Sequence, residues 1–358
     1  MRTKRFKGSY NVAARSYACD EKFIARDVAS MLHSLAKLRD NQLFSCLHIS
    51  GGTGDDLVDL LGSATRRAAH KMKPPEVVNA IWALATFRNT PPDDAFCMLE
   101  ASVMRVAPDM VAQAVASTLW AYATLGKIPD VETWEALETA AVRVAPNMTP
   151  QEMWNTMWAF ATLGNALKAQ TWSILEANVV RVAPEMVAPA VASSLWALAR
   201  LRKMPEDETW NALEAATARL APKMRAQTVG KILYAHAALG RVPDADTWGL
   251  LDIAARRVAP YMTPSAVGDT LWAYVTLGMM PKTRTLEALE ASAMRVALLE
   301  KKYCHVWMDD EKLKEVASIL WAYRTLEIAP EADATGMIAT AVVRMAPDMN
   351  PRERCTSS

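Results

Sequence analysis

Apolar residues recur along this chain at helical spacing, in short runs closed by helix-stopping residues. Thr149-Pro150-Gln151-Glu152 has the form of a capping box with proline in the first turn. The run that follows places Met153, Met157, Trp158, Phe160, Ala161 and Leu163 on one stripe, and Gly164 closes it. In the unit before, Pro129-Asp130 opens a second helix with Trp134, Leu137, Ala141, Val142 and Val144 on its apolar face, and Pro146 stops it. The pattern predicts pairs of helices, each about fourteen residues long, joined by short turns.

These pairs repeat. One aromatic column runs Trp82, Trp120, Trp158, Trp196, Tyr234, Trp272, each 38 residues from the last, with Trp321 after 49 and His33 a weaker copy 49 before Trp82. A second column runs Phe96, Trp134, Trp172, Trp210, Trp248, Leu286 at the same interval. A third is the phrase Arg-Val-Ala-Pro-x-Met, as at Arg105–Met110, Arg143–Met148, Arg181–Met186 and Arg257–Met262. A fixed period of this length, with two helices per unit, predicts an all-α fold: an α-solenoid, or superhelix, of about eight 38-residue helix–turn–helix repeats. Such a stack buries faces that a lone pair cannot, and it presents a concave side. The repeats cover residues 24–349, between a basic segment 1–23 and a tail 350–358 expected to be disordered. Two eleven-residue insertions, one holding Ser50–Asp56 and one around Glu300–Asp310, are expected as loops.

Composition agrees with helices: the chain is 51% hydrophobic and has only 13 Gly in 358 residues. The net charge of +1, from 40 basic and 39 acidic side chains, removes the usual signature of a tight non-specific nucleic-acid binder. A locally basic face remains compatible with it. Five scattered cysteines without a CxxC pair read as reduced thiols. No apolar run is long enough to cross a bilayer. The first nineteen residues hold Arg2, Lys4, Arg5, Lys7 and Arg15 and no acid, which gives the start of the chain the character of either an organelle transit peptide or a basic tail.

Little in the chain suggests catalysis. Gly51-Gly52-Thr53-Gly54 is followed by Asp55-Asp56, where a phosphate-binding loop needs lysine. Cys304-His305 near Asp309 and Asp310 has no second cluster to complete a metal site. No enzyme, metal or cofactor is expected. The two aromatic columns lie in apolar stripes and are expected to be core. Trp154 stands where most units have Ala or Gly, so it either is exposed or fills a gap.

Two polar columns remain. Arg67, Arg105, Arg143, Arg181, Arg219, Arg257, Arg295 and Arg344 fall in the last turn of each second helix, where bare carbonyls favour a cation. An acidic column five residues upstream, including Glu100, Glu138, Glu176, Glu214, Asp252 and Glu290, makes salt bridges between repeats an option. Phosphate contact by the arginines from Arg105 to Arg344 is the alternative. The other column lies three residues before the first-helix aromatic: Ser30, Asn79, Ser117, Asn155, Ser193, Lys231, Asp269 and Ser318. It varies among small polar and charged types while its surroundings hardly change. The helical phase puts it on a face with the alanine after each tryptophan and with Thr86, Thr124, Thr162, Thr276 and Thr325. Such a face is either a freely drifting solvated surface or a reader of base edges, one per repeat.

The phrases Leu119–Gly126 (Leu-Trp-Ala-Tyr-Ala-Thr-Leu-Gly) and Thr149–Gly164, with the 38-residue period, resemble the octotricopeptide repeat family. The resemblance extends over the whole repeat region. It implies a solenoid that binds organellar single-stranded RNA in a sequence-dependent way and supports its stability, processing, splicing or translation in chloroplast or mitochondrion. It implies base reading at Ser30 through Ser318 and phosphate contact at the arginines. The near-neutral charge departs from the family pattern, and the RAP domain that often follows such repeats is not expected within these residues. A protein–protein scaffold without RNA binding is the alternative. Neither a membrane nor a small-molecule substrate is expected.

Overall fold

A computed structural model describes residues 25–40, 65–87, 93–164 and 167–303. Ser318, Arg344, the Ser50–Asp56 insertion, the basic segment 1–23 and the tail 350–358 lie outside the described residues. All regular structure among the described residues is helical, with no strand. The fold is an all-α solenoid in which each helix packs on its neighbours along the chain.

The first helices of the repeats are α1 (Ala25–Asp40), α2 (Pro74–Phe87), α4 (Ala112–Leu125), α6 (Pro150–Leu163), α8 (Ala188–Arg200), α10 (Ala226–Leu239) and α12 (Pro264–Thr276). The second helices are α3 (Asp93–Val106), α5 (Val131–Val144), α7 (Ala169–Val182), α9 (Asp207–Leu220), α11 (Ala245–Val258) and α13 (Thr283–Tyr303). Thr149 and Glu152 form the predicted capping box on α6, and Asp130 caps α5 by accepting from the Thr133 N–H at 2.7 Å. Gly164 takes the left-handed conformation at the end of α6. The Ala-Pro pairs after α3, α5, α7, α9 and α11 form single 3-10 turns that lead into the next first helix. One expectation fails: the segment around Glu300, read as an inserted loop, begins as a continuation of α13 to Tyr303. Leu298, Leu299 and Glu300 are good helix formers with no breaker among them, so the helix runs on.

The chain divides into two compact units, 1–178 and 179–358. In the first, α1, α2, α4 and α6 pack in sequence on one another, while α3 packs on α5. In the second, α8, α10 and α12 form one row and α9, α11 and α13 the other. Gly230 lets α10 approach α12 closely: a Cβ there would lie 3.1 Å from the Ala266 carbonyl oxygen.

Three ties recur between one repeat and the next. Ring stacking is the first. Phe96 meets Tyr122, Trp134 meets Phe160, Trp210 meets His236 and Trp248 meets Tyr274, all edge-to-face with centroids 4.8–5.8 Å apart. The second is the acidic column. Glu100, Glu138 and Glu214 accept from the backbone N–H of Asp130, Lys168 and Asp244, just ahead of the next second helix, at 3.1, 2.8 and 2.7 Å. The arginine column makes the third. Arg105, Arg143, Arg219, Arg257 and Arg295 each donate from Nη2 to the carbonyl of a methionine 33 residues earlier, at 2.5–3.0 Å. These acids and arginines therefore bond to the backbone of neighbouring repeats, and Glu138 also pairs across repeats with the Lys168 ammonium at 3.9 Å. Bare N–H and C=O groups at helix ends are the strongest local partners for charged side chains.

Candidate nucleic-acid interface

On each described first helix the polar column is accessible, one turn after an exposed position held from α2 onward by Pro75, Gln113, Gln151, Pro189, Gln227 and Ser265. Ser30 and Lys231 are exposed, and Asn79, Ser117, Asn155, Ser193 and Asp269 are half-buried. The residue immediately after is wholly buried at Ala80, Thr118, Thr156, Ser194, Ile232 and Thr270, while Met31, after Ser30, is half-buried. The accessible strip is thus narrow, and the varying residue lies on it. Its companions differ from those expected. The alanine after each tryptophan (Ala83, Ala121, Ala159, Ala197, Ala235, Ala273) is fully buried between helices. The first aromatic column takes the open position instead: Trp82, Trp120, Trp158, Trp196, Tyr234 and Trp272 are only half-buried. The reading of both aromatic columns as core is corrected for this one. It holds for five members of the second, Phe96, Trp134, Trp172, Trp210 and Trp248, all below 9% exposed, while Leu286 is half-buried. Close packing of adjacent first helices leaves room for alanine but not for an indole, which is turned outward.

Two pairs of these rings lean on one another. His33 lies 5.1 Å from Trp82 and Tyr234 lies 5.1 Å from Trp272, centroid to centroid. That spacing leaves no room to insert a base between neighbours, since a base would need about twice the van der Waals thickness of a ring. The Arg200 guanidinium lies 5.4 Å from the Trp196 ring centre. Trp154 is half-buried.

In the second unit the two polar columns converge. A groove of about 620 Å³ is lined by Ser193 and Lys231 of the varying column and by Arg257 of the arginine column, with Lys223, Arg225 and Tyr261. Its lining contains no acidic side chain. Arg257 is held in place by its bonds to the Met224 and Ala221 carbonyls, 2.7 and 3.2 Å away, while its side chain stays exposed. Arg105, Arg143, Arg181 and Arg219 are exposed at the equivalent place, and Arg295 is half-buried.

Burial shifts the titration of several groups in the core. His236 is fully buried where Tyr122, Phe160 and Tyr274 stand in other repeats. Burial lowers its pKa to about 4, although Nδ1 lies 3.1 Å from the Arg241 carbonyl oxygen. Burial also raises Glu100 above the usual carboxylate range, against the Asp130 N–H bond that favours its charged form. Among the described residues no group of three His, Cys, Asp or Glu side chains is placed to hold a metal ion, and no helix is long and apolar enough to cross a membrane.

No family model matches this chain, and no curated protein matches it. Among solved structures, the crystal structure of an engineered protein matches with a TM-score of 0.23 and 11% identity, over 95% of this chain and 85% of that one. A score at that level carries no argument.

Proposed function

We propose that this protein binds single-stranded RNA in a sequence-dependent way, as an octotricopeptide-like solenoid without catalytic activity serving organellar transcripts in chloroplast or mitochondrion. One observation carries the reading. The residue that varies among hydroxyl, amide, carboxylate and amine from repeat to repeat lies on the accessible strip of every described first helix. Small amide, hydroxyl and carboxylate groups at regular spacing can discriminate base edges by hydrogen bonding. Ser30, Asn79, Ser117, Asn155, Ser193, Lys231, Asp269 and Ser318 are the proposed readers. The arginines of the third column, already held on one side by carbonyls, are the proposed phosphate contacts.

Selection of RNA from a random pool by the full chain tests this directly. A shared short motif is the expected result. Its log affinity should fall with log salt by ~0.7 per phosphate neutralised. Absence of any enriched sequence rejects the reading.

A second reading, a protein-binding scaffold, is favoured by one feature. Met204, Val242 and Met280, at 46–60% exposure and 38 residues apart, put an apolar side chain at the same turn of successive repeats. Ile128 does the same in the first unit at 62%. Recovery of one defined protein by the full chain, with no RNA enriched, would select that reading.

A further inference from the structure

The groove of the second unit is built from departures from the repeat. At the position of Lys223 the other described repeats have Lys71, Asp109, Asn147, Glu185 and Tyr261. At that of Arg225 they have Lys73, Val111, Thr149, Val187 and Thr263. At that of Lys231 they have only uncharged polar residues or, at Asp269, an acid. The repeat of α10 is the one described repeat with a cation at all three. All three side chains are exposed, and they line one groove with Arg257 and no carboxylate. A chain of net charge +1 has no general excess of cations to scatter there by composition alone.

We infer that this groove is an electrostatic anchor for the RNA backbone, holding consecutive phosphates with Lys223, Arg225, Lys231 and Arg257. The inference rests on the RNA reading and changes its mechanics. Phosphate affinity is concentrated at one repeat and is not spread evenly along the arginine column. Arg257 is the preorganised member, because its guanidinium is already fixed by two carbonyls. The lysines and Arg225 supply mobile charge around it. Tyr261, 80% exposed at the rim, offers a phenol O–H to the same backbone. An anchor of this kind sets the register in which the varying column meets the bases on either side, and phosphate contacts carry no sequence information of their own. Lys231 belongs to both sets: at its repeat the base-reading position is given over to holding the backbone.

The test uses the full chain and random single-stranded RNA, with binding measured across a salt series. One variant carries Lys223→Gln, Arg225→Gln and Lys231→Gln. A control carries Lys203→Gln, Arg256→Gln and Lys282→Gln, three exposed cations of the same unit outside the groove lining. Both lose the same charge, and both should keep the wild-type thermal midpoint. The groove variant is expected to lose about ten-fold or more in affinity at low salt, and its salt slope should drop by about 2. The control should remain within about three-fold of wild type. Equal losses in the two variants would overturn the anchor, as would a groove variant that keeps both affinity and slope, and either result leaves RNA binding itself standing. No binding by the wild type would overturn the anchor together with the reading it rests on.

Discussion

Arg202 has φ of 51°, the left-handed region that the equivalent Gly126, Gly240 and Gly278 occupy without strain at the ends of their helices. The hydrogen bonds are the same in each case: Arg202 N–H to the Ala199 carbonyl and Lys203 N–H to the Leu198 carbonyl match those at Gly240 and Arg241. Arg202→Gly should therefore raise stability to urea by about 1 kcal/mol, with no other change. His236 gives a pH signature. Its folded pKa, about 4, lies below the unfolded value of 6.5, so the unfolded chain binds the proton more readily between these limits. Stability is thus complete above pH 6.5 and is lost as pH falls towards 4, by roughly 3 kcal/mol. His236→Phe, the residue that Phe160 already provides in the same place, should flatten this dependence in urea titrations at pH 5 and 7. An unchanged slope would show that His236 is not the titrating group. The arginine phase was legible in the sequence, but its partner was not. That partner is a main-chain carbonyl 33 residues away, and no side-chain pattern records an acceptor of that kind.

At the scale of the element, the ties between repeats are interchangeable in kind and unequal in strength. Trp134→Ala removes a buried ring and its edge-to-face contact with Phe160, and should cost about 3–5 kcal/mol. Arg143→Met keeps an unbranched stem but strips the Met110 and Ala107 carbonyls of their charged donor, for a cost of about 1–2 kcal/mol at this exposed site. Urea unfolding of the two variants should rank them in that order. Helix pairs and most of their ends were readable, because capping boxes, Pro-Asp openings and Gly stops act locally, but the end of α13, which has no such signal, was not. The face of the first helix was not. The tryptophan and the alanine after it lie about 60° and about 40° to either side of the varying residue, and both are apolar. Periodicity gives either one the buried side. Space between adjacent helices decides, and it admits the methyl of Ala121 in preference to the indole of Trp120.

For the whole molecule, the repeat period was enough to predict an all-α solenoid, and each of the two compact units follows that plan. Function was legible only as a contrast between conserved-looking phase and one position that escapes it. The polar column was found by its variation, and the structure adds that this position is accessible while its neighbour is wholly buried in every described repeat after the first. The groove escaped notice in the sequence because its four cations belong to four different columns, brought together where Arg257 of α11 reaches back to the turn that leads into α10. The central claim is that the varying column reads RNA bases one repeat at a time. Its most direct test compares the motifs selected from a random RNA pool by the wild type and by Asn155→Asp, which trades an amide donor for a carboxylate on the same helix face. The account predicts that one base of the motif changes and the others stay. Identical motifs from the two proteins, or no motif from either, would contradict it.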